Sequence, residues 1–330
     1  MRIAILTKHT LAHGLGGVQV HAEGLAHGLV ARGHEVVVLT TALPRGLDVV
    51  RQDGVEFHFL SNTRSNVYSR SWWEHSVLAF ERLHRVRPFD LVLSEDLAGS
   101  GLIRRLPEIP HLPFLQGLAL EHVVSEVRQI EGVKGTLKYF AIKIPELFYY
   151  ALIHERPLIR RARMLGLVSR RAIGLIQRWY RVPEGAVRLL PNWVDVDLFR
   201  PDAARRSEVR SALGIPLDAF VFLMASVLTK QKGVQVGLEA FARCLPAHPH
   251  LVLLVVGEGP YRPTLDQKVR ALGLDQTVRF VGSVPNAEAA GYYQASDVFL
   301  FPTLRVEGIP FVVLEAMASA LPVIASRIGG

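Results

Sequence analysis

The stretch VFLFPTLRVEGIPFVVLEAMASALPVIAS, residues 298–326, sets out a strand, a turn, a helix and a second strand. VFLFP (298–302) is a short apolar run closed by proline, and PVIAS (322–326) is another opened by one. Between them, the segment 311–319 is apolar over a length that suits a helix, with Gly308 and Pro310 ahead of it as turn residues. Strand, helix and strand in that order predict a parallel pair with its crossover, and hence an α/β layer. Two carboxylates occupy the connection, Glu307 at the mouth of the turn and Glu315 inside the helix. At the carboxyl edge of a parallel sheet they can hold hydroxyls, while the amides of the helix start can receive an anion. A sugar joined to a nucleoside diphosphate presents that combination of hydroxyls and negative charge.

The same alternation extends upstream. AFVFLMAS (219–226), LVLLVVG (251–257) and VRFVG (278–282) read as strands, with helices over 233–244, near 261–271 and near 286–295. In the first half RIAILT (2–7), HEVVVLT (34–40), VEFHFL (55–60), DLVLSE (90–95), HLPFLQ (111–116) and MLGLVS (164–169) are strand candidates, and 20–33 is a helix. The pattern breaks at VRLLPNWVDVDLFRPD (187–202), followed by a charged helix over 203–213. We therefore expect two Rossmann-like α/β domains, 1–195 and 196–330, facing a cleft between their strand ends. A glycine pair, Gly329 and Gly330, closes the chain where a ligand-approach loop is expected, which predicts a second domain truncated at its C-terminus.

Composition narrows the function. Apolar residues make up 49% and charged residues 21%, a globular profile. Cys244 is the sole cysteine, which excludes an internal disulfide and fits a reducing, cytoplasmic setting. No apolar run is long enough to span a bilayer. The formal charge is +8, and nine arginines against one glutamate lie between Arg156 and Arg188, just after the apolar, aromatic stretch 136–153. That juxtaposition reads either as a surface for an anionic membrane or as a buried helix followed by a solvated face. No base-reading helix, zinc motif or RNA-binding aromatic strand accompanies the charge, so nucleic acid is not an expected partner.

Further candidates follow strands. Gly14, Gly16 and Gly17, after the first strand, let backbone approach a ligand but lack the G-x-G-x-x-G spacing of a dinucleotide site. Lys230 and Lys232, in VLTKQKG (227–233), stand where a diphosphate can meet them, without the spacing of a Walker loop. Gly257 and Gly259 end another strand and allow close passage of a base or ribose. Asp195 and Asp197 form a D-x-D that reads better as a turn lock than as a metal site, and no other metal-ligand spacing is present. There is no G-x-S-x-G elbow.

With these elements in order, the chain resembles the retaining, nucleotide-sugar-dependent glycosyltransferases with two Rossmann-like domains, the GT-B type of glycosyltransferase family 4. The resemblance runs through segments 16–40, 167–199, 227–241, 254–260, 278–302 and 307–326. It implies a UDP- or GDP-sugar donor, no metal, and a carbohydrate or lipid-linked acceptor, with work in polysaccharide or glycolipid assembly, peripherally at a membrane face. By position, Glu315 holds the ribose and Glu307 the hydroxyls of the transferred sugar. Lys232 neutralises the diphosphate, helped by amides near Phe311 and Val312, while Gly16 and Gly17 close over it. The chain departs from the family at three places. Ser226, Val227 and Leu228 stand where a glycine–arginine–leucine run is usual, with Lys230 as a substitute. Gln116 stands where a histidine is usual, and Trp193 replaces a glycine. These departures leave open a nucleotide-sugar-binding protein with little turnover, or an epimerase of the same fold.

Overall fold

The computed structural model describes residues 1–14, 16–44, 46, 48–119, 121, 125 and 139–329. The start of the apolar stretch 136–153 and the final Gly330 therefore lie outside the described residues. The chain divides into two compact units, Met1–Pro191 and Asn192–Gly329.

The first unit is built on eight strands: β1 (Arg2–Leu6), β2 (Glu35–Thr41), β3 (Val49–Gln52), β4 (Val55–Leu60), β5 (Leu91–Glu95), β6 (His111–Leu115), β7 (Leu165–Leu167) and β8 (Val187–Leu189). Their order across the sheet is β3-β4-β2-β1-β5-β6-β7-β8, all parallel except the β3–β4 pair. Successive residues alternate between two cores. Ile3, Ile5, Val36 and Val38 pack on the side covered by the helix Gly17–Val30, and Ala4, Leu6, Val37 and Leu39 on the side of the helix Arg70–Val86. Burial on both faces explains why these strands read as unbroken apolar runs.

Two differences from the sequence reading have local causes. β3 is short, largely exposed and at the sheet edge, so it carries little apolar signal. Its mark is the Asp53–Gly54 turn, both residues at positive φ, which closes the hairpin onto β4. The first helix starts at Gly17, three residues earlier than expected, and Gly28 lies within it. Its end is set by Gly33 at φ +80°, whose amide donates to the Val30 carbonyl.

The second unit has five parallel strands, β9 (Phe220–Ala225), β10 (Leu251–Val256), β11 (Val278–Gly282), β12 (Val298–Phe301) and β13 (Val323–Ala325), ordered β11-β10-β9-β12-β13. Helices Val234–Cys244 and Arg262–Ala271 cover one face through Met224, Leu253 and Val255. Helices Asn286–Gln294 and Phe311–Ala318 cover the other through Leu223, Leu254 and Phe299. Fully burying one such aliphatic side chain contributes roughly 1.5–3 kcal/mol. In each sheet the order reverses beside the first strand, between β1 and β5 and between β9 and β12, and ligands of doubly wound sheets bind at such points.

Candidate active site

At the reversal point of the second sheet, two loops bring opposite charges together. The loop after β9 ends in a tight turn, Lys230–Lys232, stopped by Gly233 at φ +71°. A side chain at Gly233 would place its Cβ 1.9 Å from the Pro302 carbonyl oxygen, so glycine is needed for the turn to lie against the end of β12. The Leu304 amide donates to the Gln231 carbonyl at 2.9 Å, pinning the two loops. As a result Lys232 Nζ donates to Glu307 Oε1 at 2.6 Å, with side-chain exposures of 21% and 15%. Both groups are shielded yet reachable from solvent.

Glu315 takes a different partner. It lies on the fifth position of the helix Phe311–Ala318, is buried, and its Oε2 accepts the Tyr293 hydroxyl at 2.7 Å. Burial pushes the Glu315 carboxyl up, and burial beside that carboxylate pushes the Tyr293 hydroxyl well above its ordinary range. The two carboxylates thus share a sheet edge without sharing a partner. At the start of this helix the Val313 and Leu314 amides both turn back to the Pro310 carbonyl, with Phe311 and Val312 ahead of them. Trp193 packs edge-on against Phe311 at 6.2 Å, and Asn192 donates to the Ile309 carbonyl at 2.7 Å. The tryptophan that departs from the family pattern therefore braces the helix entrance.

Gly257 and Gly259 serve loop packing. A Cβ on Gly257 would lie 1.9 Å from the Ser226 carbonyl oxygen, and one on Gly259 2.4 Å from that of Leu228. The Leu228 amide donates to the Glu258 carbonyl and its carbonyl accepts from Tyr261, which holds Val227 and Leu228 along the β10 loop. Leu228 is fully buried, whereas Val227 is exposed. Asp195 Oδ1 accepts from the Asp197 and Leu198 amides at 3.0 Å each, the geometry of a side-chain-locked turn. Among the described residues no group of three histidine, cysteine, aspartate or glutamate side chains could hold a metal ion.

In the first unit, Gly16 immediately precedes the helix that begins at Gly17. Gln116 follows β6, its amide donating to Asp96 Oδ1 at 2.9 Å, while its buried Nε2 has no partner among the described residues. Sequence reasoning missed the pair beside the β1–β5 reversal. His21 Nδ1 lies 2.7 Å from Glu95 Oε1, both buried, with the imidazole stacked on Phe114 at 4.3 Å. Glu95 closes β5, so a carboxylate ending a central strand was the available signal.

Known proteins share both halves. The family described as Glycosyl transferase 4-like domain matches residues 16–193, and the family Glycosyl transferases group 1 matches 205–330. A D-inositol 3-phosphate glycosyltransferase of Corynebacterium urealyticum is 28% identical, the match covering 100% of this chain and 80% of that protein. Among solved structures, sucrose-phosphate synthase from Thermosynechococcus elongatus superposes with a TM-score of 0.78 at 22% identity, over 100% of this chain and 82% of the other. The Anabaena protein HepE in complex with UDP and glucose gives 0.75 at 19%, over 100% and 82%.

Proposed function

The chain belongs to the nucleotide-sugar glycosyltransferases of the group 1 and 4-like type, with the GT-B fold, and from that premise we propose that it moves a sugar from UDP- or GDP-sugar to a hydroxyl acceptor with retention of configuration. The observation that carries the site assignment is the Lys232–Glu307 contact at the reversal point of the second sheet.

When the glycosidic bond breaks, negative charge grows on the departing diphosphate, and a fixed ammonium there lowers the barrier. Lys232 takes this role. Glu307, released from Lys232 by the arriving phosphate, accepts hydrogen bonds from hydroxyls of the transferred sugar rather than attacking it. Glu315 and the amides near Phe311 and Val312 hold the ribose and phosphates, beside Lys230, Gly257 and Gly259. Gly16, Gly17 and Gln116, carried by the first unit, are the remaining substrate contacts. The acceptor is a carbohydrate or a lipid-linked hydroxyl. The arginine-rich stretch 156–188 supports work at an anionic membrane face, and no helix among the described residues is long and apolar enough to cross a membrane.

A thermal-shift screen across nucleotide sugars, followed by anomer analysis of the product, tests this function. Stabilisation by one nucleotide sugar and a product of retained configuration support it. An inverted product, or interconversion of the donor without acceptor, contradicts it.

A further inference from the structure

Within the first unit a groove of about 750 Å³ opens between the helical run Tyr139–Arg161 and the helix Arg170–Tyr180. That run alternates wide π turns, Tyr139–Lys143 and Tyr150–Glu155, with α turns that begin beside Pro145 and Pro157. Proline supplies no amide and crowds the carbonyl a turn earlier, and widening the helix relieves that clash. The geometry turns large apolar side chains outward. Leu147, Phe148, Leu152 and Trp179 wall the groove, and Phe148, Leu152 and Trp179 are 62%, 51% and 61% exposed. Exposed apolar surface on this scale marks a binding site.

The rim carries one sign of charge. Arg156, Arg160 and Arg181 line the groove, and none forms an ion pair among the described residues. The acids of these two helical elements are occupied. Glu155 is buried, accepting the Tyr180 hydroxyl and, at 2.7 Å, the Ala119 amide, and Glu146 is paired with Lys143 at 2.9 Å. The volume lies within the roughly 300–1,000 Å³ of small-molecule pockets. Apolar walls beneath an arginine rim that has no acidic partner among the described residues fit a hydrocarbon chain ending in a phosphate.

The geometry points to a binding site for a single lipid phosphate, its chain between Phe148 and Trp179 and its head on Arg156, Arg160 and Arg181. This deepens the lipid-linked acceptor reading and rests on it for purpose, although the binding itself is independent of sugar transfer. Affinity is expected to rise about fourfold per added methylene until the groove is filled.

The test uses the full chain and dodecyl phosphate brominated at the chain end, kept below its micelle concentration, with tryptophan fluorescence as readout. Saturable quenching is expected, lost in Trp179→Phe and weakened at least about tenfold both in Arg156→Ser/Arg160→Ser and in a groove-filling Ala151→Trp. The brominated dodecyl alcohol is expected to bind at least about tenfold more weakly, and inorganic phosphate not to compete. Absence of saturable quenching by the monomeric amphiphile overturns the proposal, as does quenching by brominated anionic vesicles alone, which is surface docking only. Quenching untouched by Ala151→Trp overturns it equally. UDP and GDP binding, measured on the same variants, separates these outcomes from a failure of the transferase assignment.

Discussion

The two sheets reverse their strand order in the same way, yet the acid–base pairs beside the two reversals are of opposite character. In the second, Lys232 and Glu307 meet at 2.6 Å with both side chains partly open to solvent. In the first, His21 and Glu95 meet at 2.7 Å with 4% and 1% of their side chains exposed, under Phe114. Near-equal bond lengths hide different energetics, because burial removes the water that would otherwise compete for each group. A reachable pair can exchange its partner for a ligand. A sealed pair holds structure.

Breaking each pair sharpens this contrast. Lys232→Ala should lower kcat/KM about 10²–10³-fold, the loss typical of removing one donor that stabilises developing charge. Its unfolding free energy should change by about 1 kcal/mol or less, as for partly exposed ion pairs. His21→Leu should cost about 2–4 kcal/mol in urea unfolding, because Glu95 is left buried and its Oε2 already lacks a partner among the described residues. Equal stability losses in the two variants would erase the distinction.

Acid offers a third probe of the sealed region. Burial pushes His111 down from 6.5 to about 3. The unfolded chain therefore binds the proton more readily, so the stability linked to His111 is complete above pH 6.5 and is lost as pH falls toward 3. Between pH 6.5 and 5 the loss should approach about 1.4 kcal/mol per pH unit, seen as a falling urea midpoint. His111→Asn should flatten that slope. The smallest effect is expected at Asp195→Ala, about 1 kcal/mol from two lost bonds in an exposed turn, with donor binding unchanged.

Much of the fold was legible because its strands are buried on both faces. HEVVVLT (34–40) and LVLLVVG (251–257) match β2 and β10 to within a residue at each end, since an apolar run bounded by turns has few alternatives. β3 was not legible, because an edge strand with one covered face carries no such run. In the candidate site, Lys232 and Glu307 could be read because both lie in loops that leave the strand ends, where ligands bind. The partners of Glu315 and Glu95 could not. Tyr293 lies 22 residues from Glu315 and His21 lies 74 from Glu95, and no local pattern links them. The close approach of Gly257 and Gly259 to the backbone of Ser226 and Leu228 follows no local sequence pattern, and only the folded loops reveal it.

The central claim is that Lys232 exchanges Glu307 for the diphosphate of the donor. Calorimetric titration of UDP and GDP into wild type, Lys232→Ala and Glu307→Gln tests it most directly. The account predicts that Lys232→Ala weakens the preferred nucleotide about tenfold or more, while Glu307→Gln, which frees the lysine, binds it at least as tightly as wild type. Unchanged affinity in Lys232→Ala would contradict it.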